Sequence, residues 1–176
     1  MNVLETERLI LRRFVVEDAQ FVLNLVNEPS FLRYIGDKKI RTLDDARQYI
    51  LSGPVASYER HGFGLCLVEL RDSHTPIGMC GLLKREELPA PDIGFALLPE
   101  FWNKRFAFEA AAAVLRDARE RLGLQRVLAI TSLDNEASIK LLQRLGFTFD
   151  RVTKLAADRE QVKLFTWQNH SSNNDR

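Results

Sequence analysis

The stretch "DIGFALLPEFWNKRFAFEAAAAVL", Asp92 to Leu115, decides how this chain of 176 residues is read. Its opening, Asp92 to Leu98, is an apolar run of strand length. From about Asn103 an alanine-rich amphipathic stretch begins, with Phe106, Ala110, Val114 and Ala118 on one stripe. It runs to Leu122, and Gly123 supplies a helix end. "RVLAIT", Arg126 to Thr131, is a second short buried strand. Strand, helix and strand in this order predict a right-handed βαβ unit with parallel strands. The turn between the first strand and the helix is where an α/β protein holds a phosphate on helix N–H groups. Such turns favour glycine, because the backbone must approach the anion closely. This turn has Asn103 and Arg105 and no glycine.

Outward from this unit the pattern changes. "RLILRRF" (Arg8 to Phe14) alternates like a half-exposed strand. "VEDAQFVLNLVNEP" reads as a helix stopped by Pro29, and Ser30 to Arg41 fit at most a short helical turn. Thr42 is a good N-cap for a helix reaching about Ser52, with Pro54 kinking or restarting it. Phe63 to Leu70, Pro76 to Lys84 and "DIGFALL" form an antiparallel meander. After the βαβ unit come a helix from Glu136 to Gly146 and a hairpin made of "FTFDRVTKL" and "EQVKLFTWQ". The expected fold is α/β (α+β): a mixed, mostly antiparallel sheet with one central parallel βαβ unit and helices on both faces. Residues 1–168 form one domain, and 169–176 are a polar tail expected to be disordered.

Composition narrows the function classes. A hydrophobic content of 45% and 28% charged residues suit a folded domain with a soluble surface. A net charge of +1 gives no chain-wide attraction to nucleic acid or to a membrane. No apolar stretch is long enough to span a bilayer, and the first residues lack a signal-peptide core, so a cytoplasmic location is expected. Cys66 and Cys80 lie in apolar runs and read as buried, reduced thiols. The three histidines have no metal-ligand spacing, so no metal is expected. No G-x-G-x-x-G follows a strand, which argues against a dinucleotide-binding domain.

"TERLILR" (Thr6 to Arg12), "EDA" (Glu17 to Ala19), "PIGMCGL" (Pro76 to Leu82), "DIGFALLPEFW" (Asp92 to Trp102) and "DNEASIKLLQRLGF" (Asp134 to Phe147) occur in a characteristic order. Together they resemble the GNAT superfamily of acyl-CoA-dependent N-acetyltransferases, in particular the branch of the ribosomal-protein-alanine acetyltransferases RimJ and RimL. The resemblance runs to about Trp167. It implies transfer of acetyl from acetyl-CoA to a primary amine, which could be a protein N-terminus or a small amine. A homodimer is common in the family. Acetyl-CoA would wedge between the two splayed parallel strands, its pantetheine arm on the backbone of Phe95 and Leu97. Its pyrophosphate would sit on backbone N–H groups of Asn103, Lys104, Arg105, Phe106 and Ala107. Asn135 and Ser138 match the N-x-x-S motif beside the cofactor.

The chain departs from the branch where its Trp-Gly-Lys-Gly-Tyr-Ala becomes Trp102-Asn103-Lys104-Arg105-Phe106-Ala107. Two readings stay open. In one, Arg105 keeps helical φ/ψ, its side chain swings out, and the turn still binds phosphate. In the other, the side chain fills the pyrophosphate space and leaves a catalytically silent binding protein. For the general base, Asp92 opens the cofactor strand, and Glu86 and Glu87 precede it. The tyrosine acid of many family members falls on Leu142, so Ser138 is the candidate acid. A backbone N–H near Phe95 or Ala96 would hold the oxyanion if the strand bulges there. Trp102 is expected to anchor the turn in the core. Phe31, Tyr34, Phe63 and the segment Ile35 to Arg41 are expected to line the acceptor groove.

Overall fold

The first half of the chain alternates short strands and short helices, and each boundary has a local cause. The structure is a computed structural model that describes residues 3–170. Strand β1 (Leu4–Glu5) pairs with β2 (Leu9–Arg13), in which Leu9 and Leu11 point into the core. Helix α1 (Ala19–Val26) is followed by α2 (Pro29–Tyr34). Pro29 therefore starts a helix as well as ending one: it sits in the first turn of α2, where its missing N–H costs nothing. Helix α3 (Leu43–Ile50) opens with a reciprocal cap, in which Thr42 Oγ1 accepts from Asp45 N and Asp45 Oδ2 accepts from Thr42 N, both at 3.0 Å. Pro54 lies in a widened π turn (Leu51–Val55) that leads directly into α4 (Ala56–His61).

Strands β3 (Leu65–Leu70), β4 (Pro76–Leu83) and β5 (Asp92–Leu97) form the expected meander. Helix α5 (Phe106–Glu120) crosses to β6 (Arg126–Ser132), α6 (Glu136–Arg144) follows, and β7 (Thr148–Lys154) and β8 (Gln161–Gln168) close the sheet. The strand order is β1-β2-β3-β4-β5-β6-β8-β7, and β5–β6 is the one parallel neighbour pair. Gly123 ends α5 as expected: its φ is +63°, and Leu124 N reaches back to Ala118 O at 2.9 Å. Beyond β8, Asn169 N donates to Gln125 O at 2.9 Å. The rest of the expected tail, from residue 171, lies outside the described residues.

Two apolar clusters hold the layers together. One face of the sheet buries Ile93, Leu97, Val127, Ala129 and Phe165 against α5 and α6, with Ala110, Val114, Ile139 and Leu142. The other buries Leu65, Leu67 and Met79 against α1, α2 and α3, with Val22, Leu25, Phe31 and Ile50. Cys66 and Cys80 face each other across β3 and β4, both buried and unbridged. Burial pushes the Cys66 thiol up to about 12 and raises Cys80 as well, so both are inert at neutral pH.

Candidate active site

The site begins with a failure of pairing. β5 and β6 share one bridge, Asp92 opposite Leu128, with Leu128 N donating to Pro91 O at 2.9 Å. Beyond it the strands part, and β6 continues paired only to β8. Leu98 N donates to Ile77 O, so the even-numbered residues of β5 turn their backbone groups toward β4. Phe95 and Leu97 turn theirs into the gap. The β4–β5 register runs without a shift from Leu83 opposite Asp92 to Gly78 opposite Leu97. The expected bulge is therefore absent and unnecessary: alternation alone brings the Phe95 N–H to the gap and commits Ala96 to the ladder. Leu97 O accepts the indole N–H of Trp102 at 3.0 Å. Trp102 anchors the turn by this bond and not by burial in the core, since it is 44% exposed.

The chain leaves β5 through a short turn (Pro99–Phe101) and reaches α5 with two left-handed residues, Asn103 at φ +61° and Arg105 at φ +63°. Arg105 therefore does not keep helical φ/ψ; it is the N-cap, held in the conformation that glycine adopts without strain. It provides no side-chain cap, and the first bond of the helix is Glu109 N to Arg105 O at 3.1 Å. The N–H groups of residues 103–108 thus have no protein acceptor among the described residues, and the positive helix end lies behind them. Adjacent backbone donors at a positive helix end have the chemistry to receive an anion. The Arg105 side chain is exposed and borders a groove of about 610 Å³ with Arg8, Arg71 and Arg116.

Glu109, one turn into α5, would repel an anion if its charge were unopposed. Its carboxylate instead accepts from Thr6 Oγ1 at 2.6 Å, from Arg8 N at 2.9 Å and from Arg8 Nε at 2.8 Å. Burial raises its pKa, but these bonds outweigh that effect and hold it below the ordinary value. The start of "TERLILR" is thus a clamp on the first turn of α5. The Arg8 guanidinium also lies 4.3 Å from the centre of the Phe106 ring.

The remaining candidates flank the gap on its two faces. Asn135 Oδ1 caps α6 by accepting from Ser138 N at 3.2 Å, while the half-buried Ser138 hydroxyl has no protein partner among the described residues. Helix α6 belongs to the α5 face. Asp92 shares parity with Ala96, which packs on the α1–α3 face. Its carboxylate is 1% exposed, and both oxygens accept from Arg85 Nε at 3.1 Å. Burial raises the Asp92 pKa against the pull of Arg85. Glu86 and Glu87 are exposed on the same connection.

A profile of the acetyltransferase (GNAT) domain matches residues 8–148. The chain belongs to the GNAT acetyltransferases. It is 32% identical over 154 residues to the uncharacterized N-acetyltransferase YoaA of Bacillus subtilis (strain 168), covering 86% of each chain. It is 30% identical over 148 residues to the uncharacterized N-acetyltransferase p20 of Bacillus licheniformis, covering 84% of this chain and 83% of p20. Among solved structures, an acetyltransferase from Agrobacterium tumefaciens str. C58 superposes with a TM-score of 0.82 at 23% identity, over 96% of this chain and 95% of the other. RimL, a ribosomal L7/L12 acetyltransferase solved in complex with coenzyme A, superposes at 0.83 and 16% identity, over 97% of this chain and all of its own.

In this N-acetyltransferase two residues of the site escape sequence reasoning. Thr131 Oγ1 is buried on the strand bordering the gap and has no partner, the one such side-chain atom among the described residues. An orphaned buried hydroxyl there suits a ligand that brings amide groups. Tyr49 of α3 lies half-buried within electrostatic reach of Arg85, its phenol raised by desolvation and slightly lowered by that arginine. The weak signals were a threonine ending an apolar run and a tyrosine beside the buried Ile50. Phe63, expected near the acceptor, packs in the α5 cluster on the opposite face, and Phe31 is enclosed in the core. Among the described residues no His, Cys, Asp and Glu group could hold a metal, and no helix is long and apolar enough to cross a membrane.

Proposed function

We propose that the chain moves an acetyl group from acetyl-CoA to a primary amine, with both substrates bound at once. The observation that carries this reading is the gap beyond the Asp92–Leu128 bridge, which ends beside six consecutive backbone N–H groups with no acceptor among the described residues. Acetyl-CoA supplies the activated thioester. The N–H groups of Asn103, Lys104, Arg105, Phe106, Ala107 and Phe108 would hold its pyrophosphate. The Phe95 C=O and the Leu97 N–H would pair with the pantetheine amides, and Thr131 Oγ1, Asn135 and Ser138 would line the same path.

Acetyl transfer forms a C–N bond and breaks the C–S bond, and one proton must pass from the amine to the leaving thiolate. Asp92 is the group we assign to take that proton, directly or through a water. A carboxylate raised by burial is the better base near neutral pH. The Phe95 N–H would donate to the developing oxyanion, and Ser138 Oγ would pass a proton to sulfur and regain one from solvent.

Calorimetric titration of acetyl-CoA, followed by mass spectrometry of an amine panel, tests this reading. Micromolar binding and a product heavier by one acetyl group are expected. Binding without product on any amine would mark a silent binding protein. Binding of NAD in place of acetyl-CoA would refute the reading outright.

A further inference from the structure

One buried polar atom of this chain has no partner in its fold. Thr131 Oγ1 is closed to solvent and makes no hydrogen bond, alone in this among the buried side-chain oxygens and nitrogens of the described residues. A hydroxyl left in that state costs stability, and a valine of the same shape would avoid the cost. The strand that carries it is firmly held. β6 is laddered to β8 from Arg126 to Ser132, with Thr131 opposite Lys163. Val127 and Ala129 alternate onto the α5–α6 face, and Thr131 projects to that face with them. Along the strands, Thr131 lies three residues beyond Leu128, as Phe95 lies three residues beyond Asp92. The hydroxyl therefore stands level with the Phe95 backbone, about 10 Å past the bridge.

This level decides what the hydroxyl meets. A cofactor arm that runs from the first turn of α5 toward the bridge passes Leu97 before Phe95. The backbone of those two residues takes its amides, and the thioester comes next. Asp92 and Ala96 share the α1–α3 face, so an amine that loses its proton to Asp92 reaches the thioester from that face. Thr131 and α6 lie on the opposite face, and the half-buried Ser138 hydroxyl there also has no protein partner among the described residues. Attack and departure thus take place on opposite faces of the sheet.

We propose that Thr131 is a catalytic residue whose hydroxyl donates a hydrogen bond to the sulfur as it leaves. This deepens the acetyl-transfer reading and rests on it. The amine nitrogen forms the C–N bond, the C–S bond breaks, and its electron pair goes to sulfur. The amine's proton goes to Asp92, sulfur is protonated through Ser138, and Thr131 keeps its own proton throughout. A thiolate in a gap closed to water attracts such a donor more strongly than the neutral thioester sulfur does, so the bond strengthens as charge develops.

The test compares the native chain with Thr131→Val and Thr131→Ser, using coenzyme A and desulfo-coenzyme A, in which hydrogen replaces the thiol. A donor to sulfur lowers the pKa of the bound thiol below the ordinary thiol value of about 8.5, so coenzyme A gains affinity over its desulfo form as pH rises from about 7 to about 9. That gain should be present in the native chain, kept in Thr131→Ser and flattened in Thr131→Val. It is a ratio of two Kd values, so other titrating groups of the protein cancel, and it needs no acceptor. With the most active amine of the panel, Thr131→Val should lower kcat about ten- to a hundredfold with little change in the Kd for acetyl-CoA, and Thr131→Ser should recover most of the rate. The Tm of ligand-free Thr131→Val should equal or exceed that of the native chain, because only an unpaired hydroxyl is lost. A lower Tm with the ratio and rate unchanged would make Thr131 structural. Equal weakening of both cofactors by Thr131→Val would assign the hydroxyl to an amide. Either result, or a ratio in the native chain that does not change with pH, overturns the inference while acetyl-CoA still binds. Failure to bind acetyl-CoA would remove the acetyl-transfer reading and this inference with it.

Discussion

Arg105→Gly should make the protein more stable, although it deletes a long side chain. Arg105 is held at φ +63° with ψ 14°. A residue with a Cβ in this region costs about 1–2 kcal/mol relative to its right-handed form. Glycine removes that strain but brings about 0.5–1 kcal/mol of extra unfolded-state freedom. The net gain is about 0.5–1 kcal/mol, which for a chain of this size raises Tm by about 1–4 °C. The Arg105 side chain makes no hydrogen bond or ion pair among the described residues, so little offsets the gain. Arg105→Ala is the control, because it removes the guanidinium but keeps the Cβ and the strain. Thermal unfolding of the three proteins should place Arg105→Gly highest and Arg105→Ala within about 1 °C of the native chain. A Tm for Arg105→Gly at or below that of Arg105→Ala would refute the strain argument. Calorimetry on the same proteins reads the second consequence. If backbone N–H groups hold the pyrophosphate, both variants keep acetyl-CoA binding within about tenfold, and the native chain has the steeper salt dependence.

Other residues allow sharper tests. Glu109→Gln should lower Tm at neutral pH. Because the folded pKa of Glu109 lies below its ordinary value of 4.5, the stabilisation is fully present above that value and is lost as pH falls from there through the lower folded pKa, so melting curves of the two proteins should converge in acid. Ser138→Ala should lower kcat and leave the Kd for acetyl-CoA nearly unchanged; loss of binding would make Ser138 a contact only. Asn135→Ala removes the cap of α6 and should cost about 1 kcal/mol in denaturant unfolding. Leu142→Ala opens a cavity under α6 at a fully enclosed position and should cost about 2–5 kcal/mol, while Leu142→Met should be nearly neutral.

Much of this molecule could be read from local pattern. The stripe Phe106, Ala110, Val114 and Ala118 specifies one buried face of α5, Thr42 with Asp45 specifies a helix start, and Gly123 specifies a helix end. These features depend on residues within a turn or two of one another, so composition and spacing suffice. The strand-helix-strand order also sets the parallel pair at the centre of the sheet. Family membership was legible for the same reason, because its motifs are short and ordered along the chain.

The chemistry was decided by contacts between distant segments. Whether β5 and β6 pair for one residue or for five depends on how each is held by its other neighbour, and no local pattern carries that information. The sign of φ at Arg105 is set by the path from a strand bound to β4 into a helix packed across it, and that path overrides the arginine's own preference. Glu109 is an ordinary helix glutamate until Thr6 and Arg8, about a hundred residues away, close on it. Local periodicity determines which elements form. Long-range register and packing determine which backbone groups stay unpaired and which charges meet, and those unpaired groups and charges make the site.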